Sequence, residues 1–156
     1  MGEYPIPRWF DFAHAEIGVR ETPGPVATPR ILEYWRAMPG WNGKGDDALP
    51  WCSAFVNWAL SRCHIKGTDH PAAKSWISWG EARAARPGCI VVLKHRRGKT
   101  PITGSGYHVG FLVSVDDRFI VLLGGNQGDA VSEASFPVSR WEMLACRWPL
   151  DKDGVK

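Results

Sequence analysis

A cysteine that opens a helix is poised to act as a nucleophile, and the segment PWCSAFVNWAL at 50–60 has that form. A polar, Gly-rich stretch ends at Trp51. From Cys52 onward, Phe55, Val56, Ala59 and Leu60 recur at helical spacing. A thiol in a first helical turn meets the positive end of the helix dipole and unpaired N–H groups, and both favour thiolate. The N–H of Cys52 itself is free to help hold an oxyanion. A buried structural thiol is the commoner fate of cysteine. Cys63, late in the same helix, fits that description, so position separates the two.

A thiol nucleophile needs a base. The chain has His14, His64, His70, His95 and His108, and only His108 starts a strongly apolar strand, HVGFLVSV. Alternation puts His108, Gly110 and Leu112 on one face and Val109, Phe111 and Val113 on the other. A histidine there can point at a helix N-terminus packed on the sheet, with Gly110 keeping the neighbouring space open. The other four histidines read as ordinary hydrogen-bonded or surface residues. The next strand, FIVLLGG, ends in Asn126-Gln127. As the hairpin neighbour of the His108 strand, it brings Asn126 within reach to accept a hydrogen bond from the imidazole and fix its tautomer. Taken alone, GGNQG is a turn.

The elements that must position these residues follow from periodicity and turn chemistry. The spacing predicts helices over 8–18, closed by Gly18, over 29–38 with Pro29 in the first turn, and over 52–63, with a shorter one over 71–80 closed by Gly80. After residue 87, PGCIVVLK, HVGFLVSV, FIVLLGG and MLACRWP read as strands, with a tight turn at Asp116-Asp117. Helices first and an antiparallel sheet afterwards make an α+β fold. At 156 residues, with 44% hydrophobic and 22% charged, one soluble domain over 1–156 is expected.

The net charge of +3 suits an anionic polymer but is too weak to argue for nucleic acid. The run Lys94, His95, Arg96, Arg97, Lys99 reads as a solvated loop between strands. The opening MGEYPIPRWF has neither a basic n-region nor an apolar h-region, so synthesis in the cytoplasm without a signal peptide is expected. No apolar run reaches the ~18 residues of a membrane span, and membrane insertion is not expected. The four cysteines form no C-x-x-C pair, and no metal or other cofactor is expected. Cys52 and Cys63, roughly 16 Å apart along one helix, cannot form a disulfide. A bridge among Cys63, Cys89 and Cys146 stays open.

The order Cys, His, Asn is that of papain-like enzymes. The phrases EIGVRETPGP (16–25), PRILEYW (29–35), PWCSAFVNWAL (50–60), SWISWG (75–80), PGCIVVL (87–93), YHVGFLVS (107–114), LLGGNQGDAVS (122–132) and RWP (147–149) resemble the CHAP amidase and NlpC-type cell-wall peptidase superfamily. They most resemble a small phage- and bacteria-associated branch of it. The resemblance spans roughly residues 8–149. It implies a papain-like fold, N-terminal helices on a C-terminal antiparallel sheet, with Cys52 as nucleophile, His108 as base and Asn126 as third member. Many CHAP enzymes carry an acidic residue two positions before Asn126, where this chain has Gly124.

The implied substrate is peptidoglycan, cut at the muramoyl–L-alanine bond or within the stem peptide. Asp46 and Asp47 match an acidic pair that precedes the nucleophile, and a polar turn is their plain alternative. Among nine tryptophans, Trp51, Trp76 and Trp79 are candidates to wall a substrate groove, with core packing the default for each. Gln127 joins the substrate-contacting group. Such a bare domain suits a phage endolysin released to the wall by a holin, or an exported antibacterial effector with an immunity protein as partner. A non-catalytic wall-binding module on the same fold is the rival. The joint presence of Cys52, His108 and Asn126 argues against it. No ligand spacing supports a metal-dependent hydrolase.

Overall fold

Helix α3 (Cys52–Ser61) is buried at every residue from Cys52 to Leu60. The expected single apolar stripe is therefore too narrow: the helix is enclosed on all sides, as a helix that is apolar nearly all round must be. Its polar residues are satisfied by the chain wrapped over it. Ser53 Oγ donates to His70 O at 2.6 Å and accepts from Trp76 Nε1–H at 2.8 Å. Asn57 Nδ2 donates to Ser53 O at 3.0 Å, while Asn57 Oδ1 accepts from the Asp69 N–H at 3.0 Å. These bonds set the path of the segment after α3. The helix expected over 71–80 is reduced to one 3-10 turn, Ala73–Trp76, and Gly80 turns the chain at φ 60°.

The computed structural model describes residues 5–23, 28–41, 50–99 and 105–150. Two further helices, α1 (Arg8–His14) and α2 (Pro29–Arg36), pack against α3. Helix α1 stops short of the expected Gly18, which follows a run of turns at φ 104°. Tyr34 of α2 is wedged against the rings of Trp51, Phe55 and Trp58 at 5.8, 5.1 and 5.2 Å.

Six antiparallel strands follow: β1 (Glu81–Ala82), β2 (Ile90–His95), β3 (Tyr107–Val115), β4 (Phe119–Gly124), β5 (Ser132–Pro137) and β6 (Trp141–Trp148), in the order β1-β6-β2-β3-β4-β5. The fold is α+β. The four apolar strands appear where the sequence predicts them. The edge strands β1 and β5 do not show as apolar runs, because one is two residues long and the other, SEASFP, is only partly buried. The β3–β4 turn closes as expected, with Asp116 Oδ1 accepting the N–H groups of Arg118 and Phe119 at 2.8 Å each. Trp9 fastens α1 to the sheet, donating to Gly88 O at 2.8 Å and meeting the Trp148 ring edge-on at 4.9 Å.

All four cysteines are free. Cys89 Sγ donates to Ala84 O at 3.7 Å, and the neighbouring Cys146, against the effect of burial, holds the Cys89 thiol below its ordinary value. Among the described residues no helix is long and apolar enough to cross a membrane.

Glu16 joins the turn after α1 to α2. It is 8% exposed, and its carboxylate accepts from Arg30 Nε at 2.6 Å, Arg30 Nη2 at 2.9 Å and Tyr34 Oη at 2.8 Å. Burial pushes the carboxyl pKa up, but the bonds from Arg30 and Tyr34 outweigh it and the net shift is downward. A carboxyl depressed on folding stabilises the fold above its unfolded pKa, and that contribution is lost as pH falls through the folded value. Glu16→Gln is expected to cost roughly 1–2 kcal/mol at neutral pH. Urea unfolding of both chains at neutral pH and well below the carboxylate range checks this: the gap should close in acid. A gap unchanged by pH would show that the carboxylate charge is not what matters.

Candidate active site

Cys52 is the first residue of α3 and His108 the second of β3. Their side chains stand close enough for each to shift the ionisation of the other, and the backbone N–H groups of Val109 and Ser53 act on the sulfur as well. Burial pushes the Cys52 thiol up. The bond to His108, the imidazolium charge and the two N–H groups more than offset this, so the thiol sits below its ordinary value. For His108, burial pushes the pKa down, while the Cys52 sulfur and then Gln127 push it up, and the net shift is upward. Both shifts favour a thiolate–imidazolium pair.

Gln127, rather than Asn126, holds the far side of the ring. His108 Nε2 lies 2.9 Å from Gln127 Oε1. The amide orientation is fixed independently, because Gln127 Nε2 donates to Leu122 O at 3.1 Å and Ser132 O at 2.7 Å. A flipped amide would set its oxygen against two carbonyl oxygens. With Oε1 facing the ring, Nε2 of His108 must carry the proton, which leaves Nδ1 as the nitrogen for the thiol. Sequence reasoning placed Gln127 among substrate contacts; it is 7% exposed and its amide is committed to these three partners.

The correction at Asn126 has a backbone cause. The β4 ladder ends at Gly124, and Asn126 turns into the left-handed region at φ 59°, a conformation asparagine tolerates well. The chain then brings Gln127 back over Gly124, where a Cβ would lie 2.5 Å from Gln127 Oε1. A side chain at 124 and the Gln127 amide exclude each other. The space beside Gly124 is the space that Gln127 fills, and the glycine was the signal available in the sequence. The turn is strapped by Gly18–Glu21: Gly18 N–H donates to Val131 O, Val131 N–H to Val19 O and Glu21 N–H to Asp129 O. Glu21 Oε1 also accepts from Trp51 Nε1–H at 2.8 Å, tying the strap to the residue before the nucleophile.

The remaining candidates divide. Trp51 and Trp76 are wholly buried and offer no face to a ligand. Their indole N–H groups are spent on Glu21 and Ser53, which is why they belong to the core. Trp79 is half-buried, edge-on to Trp76 at 5.0 Å and bonded to Lys66 O, so it is held by the segment after α3 rather than by the strands of His108 and Gln127. Asp46 and Asp47 lie outside the described residues. One neighbour was missed: Phe136 of β5 lies with its ring centroid 5.3 Å from the His108 ring, tilted by 31°. Its strand was not recognised, so neither was its place. Depressions of about 320 and 220 Å³ lie on the helical side, around Phe12 and Ala15, and include neither Cys52 nor His108.

No known family model matches this chain, and no curated protein does. The functional reading therefore rests on the geometry of the site.

Removing Gln127 removes an influence that raises the His108 pKa. Gln127→Ala is expected to lower kcat/KM by roughly tenfold to a hundredfold, the range of a partner that orients a functional imidazole, and to move the alkaline limb of the pH profile downward. Asn126→Gly, which keeps the left-handed turn without strain, should change kcat/KM by less than about threefold. A pH–rate series on purified wall decides it. A larger loss for Asn126→Gly than for Gln127→Ala would return the third position to Asn126.

Proposed function

We propose that this chain is a cysteine amidase of papain-like type that cleaves an amide bond of peptidoglycan, either muramoyl–L-alanine or a bond within the stem peptide. The observation that carries the reading is the Cys52 thiol at the start of a buried helix, its ionisation coupled to the neighbouring His108, whose Nε2 is held by Gln127. The cell-wall substrate comes from the sequence resemblance, as does its use by a phage endolysin or by an exported effector with its own immunity protein.

The chemistry follows from the parts. Thiolate Cys52 attacks the amide carbonyl carbon, and the electron pair moves to oxygen. The N–H of Cys52, a first-turn donor with no partner inside the helix, helps to hold that oxyanion. The C–N bond breaks as the proton on His108 Nδ1 passes to the leaving amine. His108, now neutral, takes a proton from water, whose oxygen attacks the thioester and releases the carboxylic acid and the thiolate. Gln127 stays on Nε2 throughout and keeps the ring from turning.

Activity requires the thiolate and the imidazolium together. Cys52 titrates below its ordinary value and His108 above its own, so the rate should rise with pH through the lowered thiol pKa and fall through the raised imidazole pKa. Cys52→Ala should abolish hydrolysis with the melting curve little changed, while Cys63→Ala should stay active. Iodoacetamide should inactivate at neutral pH and chelators should not. Mass mapping should find the adduct on Cys52, which is 5% exposed, before Cys89, which is fully sealed. Resistance to the alkylator with sensitivity to a chelator would sink the thiol mechanism.

A further inference from the structure

The basic run that the sequence reads as a solvated loop is joined to the candidate site by a row of rings. The His108 ring lies 5.3 Å from Phe136, Phe136 lies 5.3 Å from Trp141, and Trp141 lies 4.9 Å from His95. All four are half-buried, so the row has one side in the protein and one toward solvent. Each step is about 5 Å, and roughly four residues of extended peptide would span the row.

At its far end, two turns are laced together. Arg96 N–H donates to Arg140 O and Arg96 Nε to Val138 O, each at 2.8 Å. Arg97 N–H donates to His95 Nδ1 at 3.2 Å. The side chains of Arg96, Arg97, Lys99 and Arg140 are exposed there. Among the described residues, none of the four forms an ion pair. Lys94 is not part of this group, since it stands opposite Glu142 in the β2–β6 register, on the face away from His95. The adjoining β3–β4 turn brings Asp116, Asp117 and Arg118. Asp116 is already occupied by two backbone N–H groups, so the three turns remain cationic on balance.

We propose that this row and its cationic end form a subsite for an extended peptide carrying free carboxylates, the rings, which meet edge to face at Trp141, giving its backbone an apolar wall and the guanidinium groups receiving its carboxylates. This rests on the reading of Cys52 and His108 as an amidase pair, and it assigns the peptide arm of the wall, rather than the glycan, to this side of the site. Charge complementarity commits the far end to an anion, since guanidinium groups without acid partners bind carboxylates well. The spacing commits the near end to a chain thin enough to lie along one row of rings.

Calorimetric titration of the full-length Cys52→Ala chain separates binding from cleavage. The probes are a wall stem tetrapeptide with its carboxylates free and the same peptide fully amidated. The free form should bind about tenfold more tightly at low salt, and that advantage should shrink as salt is raised. Arg97→Glu combined with Arg140→Glu, two exposed positions whose side chains support no described bond, should abolish the preference. Trp141→Ala should weaken both forms alike, with Trp141→Phe retaining most of the affinity. Equal binding of the two peptides, no binding of either, or a preference that survives the double charge reversal would each overturn the proposal. A chain that prefers the free peptide yet cleaves no wall amide when Cys52 is intact would instead remove the catalytic reading and leave the subsite standing.

Discussion

The burial of α3 from Cys52 to Leu60 is the constraint on which the rest of this structure depends. A helix with no solvent-facing side must be wrapped by the remainder of the chain, and each wrapping segment finds a polar or steric anchor on it. The segment after α3 is pinned through Ser53 and Asn57. Helix α2 enters through Tyr34, and the β4 end closes on it at Gly125, where a Cβ would lie 2.7 Å from Trp51 and 2.8 Å from Phe55. Close approach of this kind makes the helix N-terminus a chemical environment and not merely a surface. The sulfur at that end is nearly sealed from water, and the neighbouring imidazole and backbone N–H groups shift its ionisation.

The site also shows how one small residue redistributes a function along a chain. Gly124 removes a side chain from the last position of β4, and the amide three residues later occupies the space. The partner of the imidazole is a neutral amide supplied from a turn. Its two N–H groups are fixed by Leu122 and Ser132, so the orientation is as firm as a strand residue would give. An amide is a partner that cannot be protonated away in acid. The Cys52 thiolate is then the principal charge that stabilises the imidazolium.

Much of this was legible in the sequence, for identifiable reasons. The α+β order, the four apolar strands and the starts of α2 and α3 follow from local periodicity and turn chemistry, which need no knowledge of partners. Cys52 and His108 were legible because their positions, first in a helix and early in a strand, carry their chemistry locally. Gln127 was not, because adjacent residues in a turn differ in direction by a backbone angle that composition does not reveal. Phe136 stayed hidden in a strand whose alternation is mostly polar. Trp51 and Trp76 took their default place in the core rather than a groove wall; an indole suits both, and Glu21 and Ser53, distant in sequence, decide between them.

The strap of Gly18–Glu21 across the 129–131 turn has a consequence in time as well as in space. The thiol of Cys52, the imidazole of His108 and the amide of Gln127 come from three separate stretches, and the amide's turn is held by a segment that precedes all of them. Such contacts form only after long loops have closed, and loop closure over these separations is slow relative to helix formation. A chain emerging from the ribosome therefore presents Cys52 long before Gln127 exists to hold its base. During synthesis the thiol is an ordinary cysteine, and it meets its imidazole only when the last third of the chain has folded back onto the first.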